Sequence, residues 1–289
     1  MPEISIITAL HNCVDLTQQY IESLKQTVPS IDWELILVDD ASSDGTQAYL
    51  ESLTSDPRIH CIHNESNRGY SVSNNIGANA ATGEYFAFLN NDLVLTKGWF
   101  EEMFKVMKEA DNPGIVGNIQ TNPNTGLIDH AGVFFGLDGM PRQARKNRKK
   151  FPGTEYTEWN AVTAACMLIQ ASLFKKVGGF DETYRNGFED IDICVKLKQQ
   201  GYRHYVANRS RIFHCVSASP GRHKNNIHNT DLFRQRWTSI TCEWGKREWA
   251  PEYIQRYARH WWKFNLSKFL LAQRMLIGDI FRKQLIYRD

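Results

Sequence analysis

The chain reads as an α/β fold, a mixed sheet flanked by helices and followed by a C-terminal helical tail. Three observations predict this. Short β-branched runs alternate with helical patterns through the first third, the sign of βαβ units and a parallel sheet. Each run ends in polar residues, at the carboxyl edge where open α/β sheets bind ligands. From about Ser217 onward the strand signal disappears and two helical stretches remain.

Taken in order, Ile4 to Thr8, Leu35 to Val38, Ile59 to Ile62 and Tyr85 to Leu89 are the first four strands. Asp15 with Gln18, and Asp44 with Gln47, have the spacing of capping boxes, which predicts helices opening at both places. Val72 to Ala81 predicts a third crossover helix, and Lys97 to about Glu109 a fourth. The middle of the chain is mixed, with strands near Gly114 to Gln120, Ile128 to Phe135 and Val162 to Ile169. Gly178-Gly179 ends a short helix, and Glu189 to Gln200 forms another. The tail divides into Ile227 to Cys242 and Pro251 to Arg282. These elements predict one main domain over 1–220 and a helical extension over 221–289.

Of 289 residues, 42% are hydrophobic and 23% charged, a balance that excludes a disordered chain and a membrane-spanning bundle. A formal charge of +2 is too small to argue for nucleic acid. The six cysteines are scattered without a CxxC pair, which fits reduced thiols in a cytoplasmic compartment. Met1 to Leu10 runs directly into a strand pattern and has no export-signal layout. No window holds about 18 uninterrupted apolar residues, which leaves attachment to a membrane surface open.

Three constellations carry chemistry. Strand four ends in Asn90-Asn91-Asp92, a turn whose oxygens can face a cation and a diphosphate; a solvated turn accounts for the same residues. Glu189, Asp190 and Asp192 open a helix, where acids also complement the helix dipole. Positions two apart cannot share a helix face, so Asp190 and Asp192 must do different jobs, one as a base and one structurally. His214 follows the strand-like Arg211-Ile212-Phe213. A zinc site from His214, Cys215, His223 and His228 is conceivable by residue type, but its spacing matches no familiar zinc pattern.

The run Ile36-Leu37-Val38-Asp39-Asp40-Ala41-Ser42-Ser43-Asp44-Gly45-Thr46 resembles the signature after strand two of family 2 glycosyltransferases. The likeness continues in order through Asn67-Arg68-Gly69, Asn74-Asn75 with Gly77, Asn90-Asn91-Asp92, Gly178-Gly179-Phe180-Asp181-Glu182, Glu189-Asp190 and His214. It implies a GT-A fold, Rossmann-like, with a nucleotide-binding half over about 1–120 and an acceptor-binding half over about 121–220. It also implies roles. Thr8, Asp39, Arg68, Asn90 and Asn91 would bind the nucleoside-diphosphate donor, Asp92 and His214 a divalent ion, and Asp190 would be the catalytic base. Glu189 and Trp159 are candidates for the acceptor.

The implied reaction explains these residue types. Breaking the anomeric bond leaves charge on a departing diphosphate, which a cation bridging the phosphates stabilises. Oxygen ligands suit Mg2+ or Mn2+, and an imidazole shifts the preference toward Mn2+. The acceptor hydroxyl must lose its proton as it attacks, which calls for a carboxylate, and a single in-line displacement inverts the anomeric centre. Two positions depart from the family pattern. Asn90 replaces the first aspartate of the usual turn, and Ala164 stands where glycine is frequent. The donor is expected to be a UDP-sugar or dTDP-rhamnose. The acceptor is expected to be a saccharide or lipid-linked saccharide of a cell-surface polysaccharide.

Arg142, Arg145, Lys146, Arg148, Lys149 and Lys150 form a basic run that reads as a mobile loop. Solvated surface, a lid on the diphosphate, a contact for an anionic acceptor and attraction to acidic lipid all fit it. The tail mixes Trp261, Trp262, Phe264, Phe269 and Leu270 with Arg256, Arg259, Lys263, Lys268, Arg274, Arg282 and Lys283. It fits an interfacial helix at the inner face of a membrane, or a helix packed on the main domain or on a second copy as a homodimer. Trp159 and Tyr184 fit either sugar stacking or core packing. A nucleotidyltransferase or dehydrogenase would need a Gly-rich loop after strand one, and His11-Asn12-Cys13 is none. A non-catalytic nucleotide-sugar or glycan binder of the same fold is the alternative. No nucleic-acid partner is expected.

Overall fold

The computed structural model describes residues 2–215, 226–257 and 264–286. The boundary expected at residue 220 and the residues His223, Trp261 and Trp262 lie outside the described residues. In the first third, β1 (Ile4–Leu10), β2 (Trp33–Asp39), β3 (Ile59–His63) and β4 (Tyr85–Leu89) alternate with α1 (Val14–Gln26), α2 (Thr46–Leu53) and α3 (Tyr70–Ala80). These four strands pair in parallel in the order β4-β1-β2-β3. Every residue of β2 and β4 is buried, as expected for central parallel strands covered on both faces.

The second half changes direction. After β5 (Leu93–Val94) and α4 (Trp99–Glu109), β6 (Pro113–Thr121) is followed by β7 (Ile128–His130), β8 (Val133–Phe135), β9 (Pro141–Gln143), β10 (Tyr156–Trp159) and β11 (Cys166–Gln170). Next come α5 (Ala171–Lys176), α6 (Glu189–Gln199) and β12 (Arg203–His214). β11 runs antiparallel between β4 and β6, and β12 returns parallel to β6, so the sheet order is β10-β12-β6-β11-β4-β1-β2-β3. The tail is α7 (Asn226–Tyr257) and α8 (Leu266–Ile286).

One apolar cluster lies on each face of the sheet. Tyr20, Leu50 and Trp99 bring α1, α2 and α4 onto one face, against Ile6 and Leu35. Ala78, Phe174, Ile193 and Phe233 bring α3, α5, α6 and α7 onto the other, against Ile7 and Phe88. Each fully buried large side chain contributes about 1.5–3 kcal/mol. At Gly77 a Cβ would lie 2.6 Å from Ile7 Cγ2, so glycine lets α3 sit directly on β1. A buried acid also serves the core: Glu34 accepts from Ser5 Oγ at 2.6 Å and from the Thr82 amide at 2.7 Å.

Several expectations are corrected. Neither capping box forms. α1 begins at Val14, whose N–H donates to Asp44 Oδ2 at 3.1 Å, and Asp44 Oδ1 accepts from the Thr46 N–H at 2.9 Å. One aspartate thus holds two helix starts, while Gln47 turns to Glu51. The run Ile128 to Phe135 is broken into β7 and β8 at Gly132, whose φ of +106° ends the extended pairing. Val162 to Ala165 form a turn before β11 rather than its first half. Pro251 lies inside α7 instead of opening a helix, because residues on both sides of it are bonded to the body of the protein.

The basic run is not a free loop. Arg142 lies in β9, the Asn147 N–H donates to the Ile128 carbonyl at 2.8 Å, and Arg148 pairs with Glu252 on α7 at 3.3 Å. α7 is likewise no loose appendage. Phe233 is fully buried between Phe135 and Phe188, and a Cβ at Gly245 would lie 2.0 Å from the Gly136 carbonyl oxygen. Packing on the main domain therefore describes α7. α8 packs on α7 through Ala272, yet leaves Leu266, Leu270 and Ile277 exposed. Among the described residues no helix is long and apolar enough to cross a membrane.

Candidate active site

The carboxyl ends of β1, β2 and β4 lie side by side in the sheet, at the edge where open α/β sheets bind ligands. At the end of β2, Asp39 accepts from the Ser42 N–H at 3.0 Å and faces His63 Nδ1 at 3.2 Å. Its neighbour Asp40 is a structural clamp. One carboxylate oxygen accepts from the Arg68 N–H and the other from the Gly69 N–H, both at 2.8 Å, which fixes the loop leading into α3. Arg68 thereby keeps an exposed side chain beside the β2 end. Thr8 behaves differently from expectation. It is fully buried, and its hydroxyl lies 2.9 Å from that of Tyr20, so it offers no surface to a donor.

The turn after β4 is tied to its surroundings atom by atom. The Asn90 N–H donates to the Ala165 carbonyl at 2.9 Å, and Asn91 Nδ2 donates to Thr17 Oγ1 at 2.9 Å. The antiparallel pairing of β5 with β12 sets His214 opposite Leu93, the residue after Asp92. Asp92 Oδ1 consequently lies 3.3 Å from His214 Nε2. The other ring nitrogen, Nδ1, faces Asp129 Oδ2 at 3.7 Å, and Asp129 Oδ2 is 3.3 Å from His130 Nε2.

This cluster fits a divalent cation. Both ring nitrogens of His214, Asp92 Oδ1 and Asp129 Oδ2 are buried without a hydrogen-bond partner, a costly arrangement unless something else satisfies them. Asp129, His130 and His214 also bring one ligand atom each within 4.8 Å of one another. Carboxylate oxygen with imidazole nitrogen is a donor set suited to Mn2+. Burial pushes the His130 imidazole down to about 4 against the pull of Asp129, so its ring is neutral and able to ligate at neutral pH. Asp129 and His130 were missed from the sequence. An Asp-His pair interrupting the apolar run Ile128 to Phe135 was the available signal.

The three acids opening α6 have different partners. Asp190 Oδ2 accepts from the Ala164 N–H at 3.1 Å and Oδ1 from the Ile191 N–H at 2.8 Å. Burial pushes this carboxyl up despite those bonds, the direction a proton acceptor needs. Asp192, fully buried, takes Lys196 Nζ at 2.7 Å and the Trp237 Nε1–H at 2.7 Å, a structural role. Glu189 is also buried, and its carboxylate accepts from the Gly187 N–H at 2.6 Å, so it does not extend toward an acceptor.

Ala164 and Ala165 join the two halves of the site. The Ala164 N–H is held by Asp190, its carbonyl accepts from Tyr70 Oη at 3.1 Å, and the next carbonyl holds Asn90. Burial raises the Tyr70 phenol well above its ordinary range, and the charges of Glu189, Asp190 and Asp92 add to that. Trp159 packs over Gly132, where a Cβ would lie 2.1 Å from its Cδ1, and keeps part of its surface open. Tyr184 belongs to the core, stacked on Phe188.

Comparison with known proteins agrees with this arrangement. A family model, glycosyl transferase family 2, matches residues 5–178. The O-antigen biosynthesis protein RfbC of Myxococcus xanthus is 31% identical over 229 residues, covering 75% of this chain and 18% of that protein. Among solved structures, GalNAc-T7 with UDP, GalNAc and Mn2+ aligns with a TM-score of 0.63 at 17% identity, over 80% of this chain and 48% of that one. The mannosyltransferase PcManGT from Pyrobaculum calidifontis, in complex with GDP-Man and Mn2+, aligns at 0.57 and 14% identity, over 96% and 86%. The mixed sheet and its flanking helices thus form a GT-A fold. The chain belongs to glycosyl transferase family 2. It spans less than a third of the length of the curated relatives that it matches at 30% and 31% identity.

Proposed function

We propose that this chain is a metal-dependent, inverting glycosyltransferase that moves a sugar from a nucleoside-diphosphate donor to an acceptor hydroxyl in cell-surface polysaccharide synthesis. One observation carries the reading. Asp92 and His214, whose facing atoms are buried without hydrogen bonds, are linked to Asp190 through the backbone bonds of Asn90, Ala165 and Ala164, which supports a cation site and a proton acceptor serving one reaction.

Asp92 and His214 would hold Mn2+ or Mg2+, with Asp129 and His130 behind them. When bound, such an ion neutralises charge on the departing diphosphate. Asp39 and Arg68 would meet the nucleoside end of the donor, and Asn90 and Asn91 shape the turn beneath its phosphates. Asp190 accepts the proton of the attacking hydroxyl on a lone pair left over from its bonds to Ala164, Ile191 and Thr163. Asp192 and Glu189 are committed to Lys196, Trp237 and Gly187, which leaves Asp190 as the carboxylate at this end of α6 offered as the base for a single displacement. Ala164 adds a methyl group beside the donor sugar. The polysaccharide assignment draws on RfbC, named for O-antigen biosynthesis. The exposed leucines of α8 support contact with a membrane surface.

The test is a screen of UDP- and dTDP-sugars for nucleoside diphosphate release by the purified chain, with Mn2+ and with chelator. Mn2+-dependent release from one donor is expected. Failure with every donor in the presence of saccharide acceptors overturns the proposal.

A further inference from the structure

A cleft of about 200 Å3 opens between β9, the basic segment after it, α7 and α8. Arg142, Arg145, Lys146 and Arg148 line one wall and Lys268 the other, with Glu252 the only acid among the lining residues. Three of these cations are committed: Arg142 to Asp138, Lys146 to Asp129 and Arg148 to Glu252. Arg145 and Lys268 have no ion-pair partner among the described residues, and Arg145 Nε is buried without a hydrogen-bond partner. Arg145 is held there by a left-handed backbone, φ +53°. Trp249 and Tyr253 stack on each other in the same cleft, with ring centroids 4.7 Å apart.

The cleft adjoins the reacting centre on one side only. Gln143 Oε1 is 2.6 Å from His130 Nδ1 and Lys146 Nζ is 3.3 Å from Asp129, so its wall touches the carboxylate and imidazole that stand behind His214. The cleft touches His130 on β7, which pairs with β6 on the far side of β4 from β1 and β2, so this contact is on the side of the sheet away from the strands that would hold a nucleotide. Surplus positive charge beside an aromatic pair, next to the centre but outside the donor half, suits an organic phosphate.

We infer that this cleft binds a phosphate ester carried by the acceptor. Arg145 and Lys268 take the phosphate oxygens, and Trp249 with Tyr253 flank the organic part, whether sugar or alkyl chain. Assigning the ester to the acceptor rests on the transferase reading; the affinity of the cleft for the ester does not.

The test is calorimetric titration of the purified chain with glucose 1-phosphate and, separately, with decyl phosphate below its micelle concentration. Saturable binding of one of them is expected, and it identifies the ester as saccharide or lipid. The double variant Arg145→Gln, Lys268→Gln should bind about tenfold more weakly or worse, with an unchanged melting temperature and unchanged binding of UDP with Mn2+. Equal affinity in the double variant overturns the inference. So does displacement of the probe by UDP with Mn2+, which would make the cleft part of the donor site. Binding only to phosphatidylglycerol vesicles, with neither soluble ester taken up, also overturns it and points to a membrane surface. Loss of UDP binding in wild type with ester binding intact would remove the transferase reading while leaving the cleft's chemistry standing.

Discussion

Asp92 Oδ1 lies 3.3 Å from Nε2 of His214, and the pairing of the two-residue strand β5 with the end of β12 sets that distance. Two residues from opposite ends of the fold meet because a strand too short to stabilise itself is stitched to one that is twelve residues long. Asp92→Ala is expected to abolish Mn2+-dependent binding of a nucleoside diphosphate. Calorimetric titration with UDP and Mn2+ checks this, and an unchanged isotherm would contradict it.

Asp129 stands behind His214 as a second carboxylate on the same ring. Asp129→Asn keeps the shape and removes the charge, so it is expected to weaken Mn2+ binding by about 10–100-fold. Electron paramagnetic resonance of free Mn2+ gives the affinity without reliance on turnover. Wild-type affinity in this variant would remove Asp129 from the metal environment.

Asp190 and Asp192 make a paired experiment. Asp190→Asn should lower transfer by about 10²–10⁴-fold, the usual contribution of a general base, with donor affinity and folding stability retained. Asp192→Ala should do the reverse. It strands the Trp237 indole N–H and leaves Lys196 only its 3.7 Å contact with Asp181, costing about 3 kcal/mol in urea denaturation, with transfer surviving at low temperature. If both variants lose stability and neither loses chemistry selectively, the division of roles is wrong.

Glu248 supplies a pH dependence. Burial of α7 against β8 pushes its carboxyl up to about 7 from an ordinary 4.5, against the pull of the Phe135 N–H. The folded state therefore holds the proton more tightly than the unfolded chain. Its contribution is complete below about 4.5 and is lost as pH rises through about 7, on the order of 2–3 kcal/mol. Urea midpoints at several pH values should show Glu248→Gln, which keeps the bond to Phe135, more stable relative to wild type at pH 8 than at pH 4. Parallel curves would rule the effect out.

The α/β order and the four parallel strands were legible because they rest on local rules: period and turn chemistry. Asp92 and His214 were singled out as metal ligands by the resemblance and not by those rules. What stayed hidden depends on contacts between distant segments. Thr8 looks available at a strand end, and only the packing of Tyr20 from α1 closes it off. Asp44 has capping-box spacing, yet the neighbouring helix competes for its second oxygen. Asp129 and His130 acquire meaning when β7 folds back beside β12, and the basic segment becomes ordered when Glu252 reaches it from α7.

Helix α7 is tied to the second half of the main domain along its length, by Asn229 to Arg185 and Gly187, Trp237 to the buried acid of α6, Thr241 to Gly139, Glu248 to β8 and Glu252 to the basic segment. Nothing comparable links it to β1, β2 or β3 among the described residues. On the proposed transferase reading, donor and acceptor would be recognised by different stretches of the chain. Exchanging residues from Asn226 onward between relatives should redirect which molecule receives the sugar, while nucleotide preference travels with the amino-terminal strands.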